Sequence, residues 1–160
     1  MKQVEETALI YHLEAACESI WKPVCQRANL PQPAFTILMC LEHHPEGCTA
    51  KDISKYRAIK PNMVSFHVDK LVQLGYVERR PIPEDRRQVR LVCTEKAAPL
   101  LEMGRAVEEQ FYASITQGMT AEDIEHLRRC LDILRANAEE IKTRAKEGAE
   151  TLTRQNHSKG

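Results

Sequence analysis

Residues 81–91 read PIPEDRRQVRL. Seven positions hold two prolines, the acids Glu84 and Asp85, and the adjacent bases Arg86 and Arg87, before Val89 and Leu91 begin to alternate. The flanking runs YVERR and QVRLVC have the two-residue rhythm of strands. The arginines therefore fall at the tip of a hairpin, where a guanidinium stays in solvent. Its chemistry there is the recognition of an anion by charge and by a fork of N–H donors. Arg90, on the strand leaving the tip, adds a further base. The charge distribution agrees. The whole chain is neutral, with 23 bases and 23 acids. Residues 51–90, however, carry ten bases against five acids. A basic middle in a neutral chain suggests a local patch for a polyanion.

Such a tip needs a scaffold. From Glu5 to about Ala28 the apolar residues Leu9, Leu13, Ala16, Ile20 and Val24 recur at helical spacing. Pro23 falls inside that pattern and is expected to kink or split the helix near Trp21–Lys22. After LPQP comes AFTILMCLEHH, a helix so apolar that it must be buried on most sides. Thr49 and Asp52 suit a capping arrangement at the start of a short helix. Pro61 then suits the first turn of another, with Val64, Val68, Leu71 and Val72 as its buried stripe and Gly75 as its C-terminal cap. Two short helices joined near Ala58–Lys60 have the helix-turn-helix rhythm. The hairpin follows directly, as a wing. Thr94 is placed to cap the next helix, which carries Leu100, Leu101, Met103, Val107 and Phe111 and ends at Gly118. Thr120 opens the last, with Ile124, Leu127, Leu131, Leu134 and Ile141 in register; beyond Glu147 the periodicity fades and the tail is expected to fray.

At 160 residues the chain can bury one core. It has neither an apolar run of about 20 residues, as a membrane span needs, nor a secretory leader, so a soluble cytoplasmic protein is expected. Six scattered cysteines form no CxxC pair, which argues against a zinc ribbon. The absence of a Gly-rich phosphate loop, HExxH or GxSxG leaves an enzyme reading without support.

HVDKLVQLGYVERR followed by PEDRRQVRLVCTEKA resembles the MarR (multiple-antibiotic-resistance regulator) family of winged-helix regulators. The first run matches the end of that family's recognition helix and the start of its wing. The second matches an Asp-x-Arg wing tip leading into Thr-Glu-Lys. The resemblance covers about residues 5–147. It departs at Ser65-Phe66, where the family often has a hydroxyl residue and then arginine, and at Ala97, where glycine is common.

The resemblance implies a mainly α fold with a small antiparallel hairpin: a winged helix-turn-helix over 32–94, a helical dimerisation region over 1–31 and 95–148, and a flexible tail over 149–160. It implies a dimeric, sequence-specific DNA-binding regulator, a repressor released by a small ligand or an oxidant. The helix from Pro61 would enter the major groove, with Lys60, Asn62, Met63, Ser65, Phe66 and Lys70 as candidate contacts. Phe66 is balanced between contact and core. His67 is assigned to packing. Arg87, braced by Asp85, would enter the minor groove, with Arg86 or Arg90 on phosphate, and Thr49 and Lys51 would meet the backbone at the preceding helix. Leu9, Leu13, Leu127, Leu131 and Leu134 are the candidate dimer contacts, giving a two-fold protein for a palindromic operator.

Three signals compete for the switch. A small aromatic or amphipathic effector could bind near Trp21, Met39 and Phe111. Cys17 could act as a redox thiol, as a first-helix cysteine does in the hydroperoxide-sensing branch of the family, although a buried inert thiol is the simpler reading. His43 and His44 with Glu42 or Cys40 could take a metal, although histidines at a helix end more simply complement its dipole. No metal or cofactor is expected. The alternative function is a winged-helix dimer acting as a protein-interaction module, against which the arginine tip and basic middle argue.

Overall fold

A helix without a polar face has to be enclosed, and QPAFTILMCLE is such a helix. It forms α2 (Gln32–Glu42), in which Ala34, Phe35, Ile37, Leu38, Met39, Cys40 and Leu41 are all buried. Around it lie α1 (Lys2–Ala28), α3 (Ala50–Arg57), α4 (Pro61–Gln73) and an antiparallel hairpin of β1 (Val77–Ile82) and β2 (Asp85–Cys93). A short 3-10 turn, Glu95–Ala97, leads into α5 (Ala98–Ile115), and α6 (Ala121–His157) closes the chain. The computed structural model describes the backbone of residues 2–82 and 85–157 and the side chains of residues 8–82 and 88–145. The chain divides into two units, residues 1–114 and 115–160.

The winged-helix order expected from the sequence is present: helix, helix, helix-turn-helix, wing, two helices. One strand-like segment has no signal in the sequence. Cys48 bridges to Leu91, with Cys48 N–H donating to the Leu91 carbonyl at 3.3 Å and Leu91 N–H donating back at 2.9 Å. The bridge ties the loop before α3 to the wing. Gly47 makes this approach possible. Its φ is +78°, and a Cβ there would lie 2.6 Å from Val92 Cγ1 and 2.7 Å from the Leu91 carbonyl oxygen. Gly104 serves α5 similarly, since a Cβ would meet Phe35 and Met39 of α2.

Three local expectations need correction. The helix α1 runs through Pro23 without dividing at Trp21–Lys22. The turn around the proline is held by packing: Val24, Cys25 and Ala28 join the core, and Trp21 lies 5.3 Å from the Phe35 ring centroid. Thr94 does precede the 3-10 turn, but its hydroxyl does not cap it; it donates to the Gly75 carbonyl at 2.6 Å. The last helix continues to His157, past Glu147 where the apolar rhythm weakens. Residues 138–150 are rich in Ala, Glu, Lys and Arg, good helix formers, interrupted by Thr143 and Gly148.

His67 is buried, at 4% exposure, and neither ring nitrogen has a hydrogen-bond partner. Burial, helped by the Lys70 charge, pushes its pKa below the ordinary imidazole value. The folded state therefore holds His67 neutral, while the unfolded chain takes up a proton below about pH 6.5. This contribution to stability is complete above that pH and is lost as pH falls through the depressed folded value. Urea midpoints should thus drop between pH 7.5 and pH 5.5, and His67→Leu should flatten that drop. Gly47→Ala should cost about 2 kcal/mol or more in urea unfolding, from backbone strain and the clash with β2.

Candidate functional site

The candidate surface is built on α4. Its N-terminus is preset by Pro61, whose missing N–H costs nothing in a first turn. The turn from α3 passes through Ala58 at φ +52° and is tied by the Ser54 hydroxyl, which donates to the Ile59 carbonyl at 2.6 Å. Val64, His67, Val68 and Leu71 form the buried face. Lys60, Asn62, Met63, Ser65, Phe66 and Lys70, the six expected contacts, are all exposed. Phe66 is 62% exposed, which removes it from the core and leaves its ring edge-on to His67 at 5.1 Å.

The other end of α4 is clamped by the Thr-Glu-Lys segment. Lys96 Nζ donates to the Leu74 carbonyl at 2.8 Å and lies 5.3 Å from the Tyr76 ring centroid. Thr94 N–H donates to the Tyr76 carbonyl at 3.0 Å, beside the hydroxyl bond to Gly75. Gly75, at φ +76°, lets its own N–H and that of Tyr76 donate to the Val72 and Leu71 carbonyls of the last turn, each at 2.9 Å, while the Thr94 and Lys96 bonds take up the carbonyls that follow. Local sequence pattern does not reveal this role of Lys96, because its partner lies 22 residues back along the chain. Its place in the Thr-Glu-Lys run is the available signal.

At the start of α3, Thr49 and Asp52 form a reciprocal capping box. Thr49 N–H and hydroxyl donate to the Asp52 carboxylate at 2.9 and 2.7 Å, and Asp52 N–H donates to Thr49 Oγ1 at 3.2 Å. The Thr49 bonds hold the Asp52 carboxyl below the usual range. The Thr49 amide is thereby committed within the chain, and the exposed Lys51 is what this turn offers outward. Lys51, Lys55, Lys60 and Lys70 form no ion pair among the described residues.

In the hairpin, Val77 pairs with Cys93, Arg79 with Leu91 and Arg80 with Arg90, and the register shifts between Pro81 and Ile82. Arg79 is bound by Asp69 of α4, and Arg80 by Glu78 at 2.6 Å. Arg90 donates to the Glu46 carbonyl at 3.3 Å. The tip side chains Asp85, Arg86 and Arg87 lie outside the described residues. A buried helix, a helix-turn-helix with one exposed face, and a wing pinned to it decide the comparison. The MarR family model matches residues 30–89. The chain carries a MarR-family domain.

Solved structures share the fold. A MarR transcriptional regulator from Methanosarcina mazei Go1 is similar at a TM-score of 0.71 and 20% identity, covering 88% of this chain and 99% of that one. The transcriptional regulator SlyA gives 0.73 at 18% identity, over 84% and 94%. A mutant E. coli MarR in complex with operator DNA gives 0.65 at 20%, over 83% and 95%.

Behind the MarR domain's helix-turn-helix lies a cavity of about 400 Å³. Trp21, Met39 and Phe111, the residues expected to meet an effector, all line it, together with Cys17, Arg57 and Glu108. Arg57 and Glu108 are joined through His43, with Arg57 Nη2 3.1 Å from His43 Nδ1 and His43 Nε2 2.9 Å from Glu108 Oε2. His44 Nδ1 meets the Cys40 carbonyl at 2.8 Å, and its ring stacks on Tyr56. Both histidines are thus engaged within the protein, and among the described residues no three His, Cys, Asp or Glu side chains converge as metal ligands. Among the described residues no helix is long and apolar enough to cross a membrane.

Leu9 and Leu13 on α1, and Leu127, Leu131 and Leu134 on α6, are exposed. On α6 they continue a three-four alternation from Ile124 to Ile141, the spacing of a helix seam that seeks another helix. The exposure of Phe66 can be checked by stability alone. Phe66→Ala should move the unfolding free energy by no more than about 0.5 kcal/mol, whereas Leu71→Ala on the opposite face should cost about 2–5 kcal/mol.

Proposed function

We propose that this protein is a cytoplasmic, homodimeric transcription regulator that reads a palindromic DNA operator with α4 and its wing. The observation that carries the reading is the exposed face of α4. It presents Asn62, Ser65 and two lysines, Lys60 and Lys70, beside exposed Met63 and Phe66, while the opposite face is sealed in the core. That mixture suits the floor of the major groove. Asn62 can pair with an adenine edge, Phe66 or Met63 can lie against a thymine methyl, and the lysines can meet phosphate. From the sequence pattern of the wing, Arg87 enters the minor groove with Asp85 holding its guanidinium, Arg86 or Arg90 takes phosphate, and Lys51 steadies the backbone contact at α3.

Two-fold DNA calls for a two-fold protein, and the apolar rows on α1 and α6 supply surfaces of the right kind for a second copy. The protein acts as a repressor. A small amphipathic molecule in the cavity next to Trp21, Met39 and Phe111 would also touch Arg57, which belongs to α3 of the helix-turn-helix. Occupancy would thereby alter the spacing of the two recognition helices. A complex of E. coli MarR with operator DNA among the structural neighbours supports the DNA reading for this fold.

Fluorescence anisotropy on the DNA upstream of the protein's own coding region tests the proposal. Affinity should exceed that for random DNA by at least about a thousandfold and fall steeply with salt, as counterion release requires. Arg87→Ala should weaken binding at least about tenfold, or 1.4 kcal/mol, without altering the dimer seen by sedimentation. Asn62→Ala should erode discrimination more than it erodes binding to random DNA. If every operator tested binds no better than random sequence and salt has little effect, the winged domain works on protein partners instead.

A further inference from the structure

Two side chains on the outer face of α4 are poor partners for hydrogen-bonding groups. Past Pro61, every exposed side chain of the helix is polar or charged except Met63 and Phe66. With 3.6 residues per turn, Phe66 projects about 40° from Asn62 and about 60° from Met63, near the middle of the face opposite Val64, Val68 and Leu71. Its ring rests edge-on against His67, which is itself locked in the core. The ring therefore has a fixed backing and little freedom to lose on contact. Around this apolar centre the charge is positive. Asp69, the one acid of α4, is bound by Arg79, whereas Lys60 and Lys70 form no ion pair among the described residues. The rim suits a polyanion, and the centre has to suit an apolar group that the polyanion presents between its charges.

We propose that Met63 and Phe66 form a reader of pyrimidine C5-methyl groups, so that this protein selects its DNA by methyls in the major groove, carried by thymine or by 5-methylcytosine. The inference rests on the DNA reading proposed above and names the feature of the DNA that decides affinity. Base edges in the major groove offer donors, acceptors and one apolar group, the thymine methyl. A phenyl ring and a thioether return almost nothing to a donor. Against the cytosine amino group they would strip water and supply no bond. Against uracil, which lacks the methyl, they would face a gap. Against a methyl they bury apolar surface on both sides. 5-Methylcytosine carries that methyl on the same ring carbon, so methylating cytosine should restore the contact that replacing thymine removes. Met63 and Phe66 stand three residues apart, about 4.5 Å along the helix, close to the roughly 3.4 Å between successive base pairs. The two side chains can thus serve neighbouring steps. One buried methyl is worth about fourfold in affinity, and a two-fold complex reads it twice, or about fifteenfold.

The test uses full-length protein and an operator that it selects from a random duplex library. Thymines are replaced by deoxyuridine one position at a time, symmetrically in both half-sites, which removes the methyl and leaves base pairing unchanged. At one or two positions per half-site, affinity by fluorescence anisotropy should fall about fifteenfold. At the same positions 5-methylcytosine should bind more tightly than cytosine by a similar factor. Phe66→Ala, at an exposed position whose loss leaves folding intact, should weaken binding to the parent operator and cut the uracil penalty at its own position to less than about twofold. Phe66→Leu should retain most of that penalty, and Met63→Ala should act in the same way at the neighbouring position. An operator indifferent to every uracil replacement overturns the methyl reader, as does a uracil penalty that Phe66→Ala and Met63→Ala both leave intact. Either result leaves the DNA reading standing, because an operator has been selected. If the library yields no sequence preferred over random DNA, the DNA reading fails and takes the methyl reader with it.

Discussion

The winged-helix lobe depends on burying one helix on most of its sides. Eleven residues, Gln32–Glu42, place seven side chains in the interior. Each large apolar side chain so enclosed contributes about 1.5–3 kcal/mol. No neighbour can leave without exposing part of that surface, so α1, α3, α4, β2 and α5 are all recruited to it. The functional surface follows as a remainder. Once α4 has turned Val64, Val68 and Leu71 toward α2, the direction of its opposite face is fixed, and Asn62, Ser65 and Phe66 point outward because nothing else is left for them.

Electrostatics then refine that remainder. The excess of bases between residues 51 and 90 is not uniformly available. Arg79 is satisfied by Asp69, Arg80 by Glu78, and Arg90 reaches the Glu46 carbonyl. Of these, the Arg79–Asp69 pair joins the root of the wing to α4, and such solvent-exposed pairs are worth little individually. The lysines of α3 and α4 remain outside such pairs. The positive field is therefore concentrated on the helix-turn-helix and on whatever the hairpin tip adds to it.

Much of this is legible in the sequence because it is local. The Thr49–Asp52 and Thr120–Asp123 boxes, Pro61 in a first turn, the glycine after α4 and the alternating strands each declare themselves within a few residues. What escapes depends on distant partners. Phe66 cannot be placed until its exposure is known. Nothing near Thr94 indicates that its hydroxyl turns back to Gly75. Pro23 reads as a kink or a break, and the helix continues undivided through it, with Trp21 packed on Phe35 beside it. His67 reads as a packing residue and is one, but only the fold shows that its ring lacks any partner. The wing-tip arginines remain the clearest signal in the chain and rest on sequence alone.

The attachment of α4 at one end has a mechanical consequence. Lys96 and Thr94, at the root of α5, grip its C-terminal end. Thirteen residues at 1.5 Å per residue make the helix about 20 Å long. A rotation of only about 3° at the gripped end would therefore carry the Pro61–Asn62 end through roughly 1 Å. Hydrogen bonds fail over displacements of that size. The α4 helix behaves as a pointer whose pivot lies far from its tip, so a strain too small to disturb the core still displaces the exposed Asn62 end by the whole tolerance of a hydrogen bond.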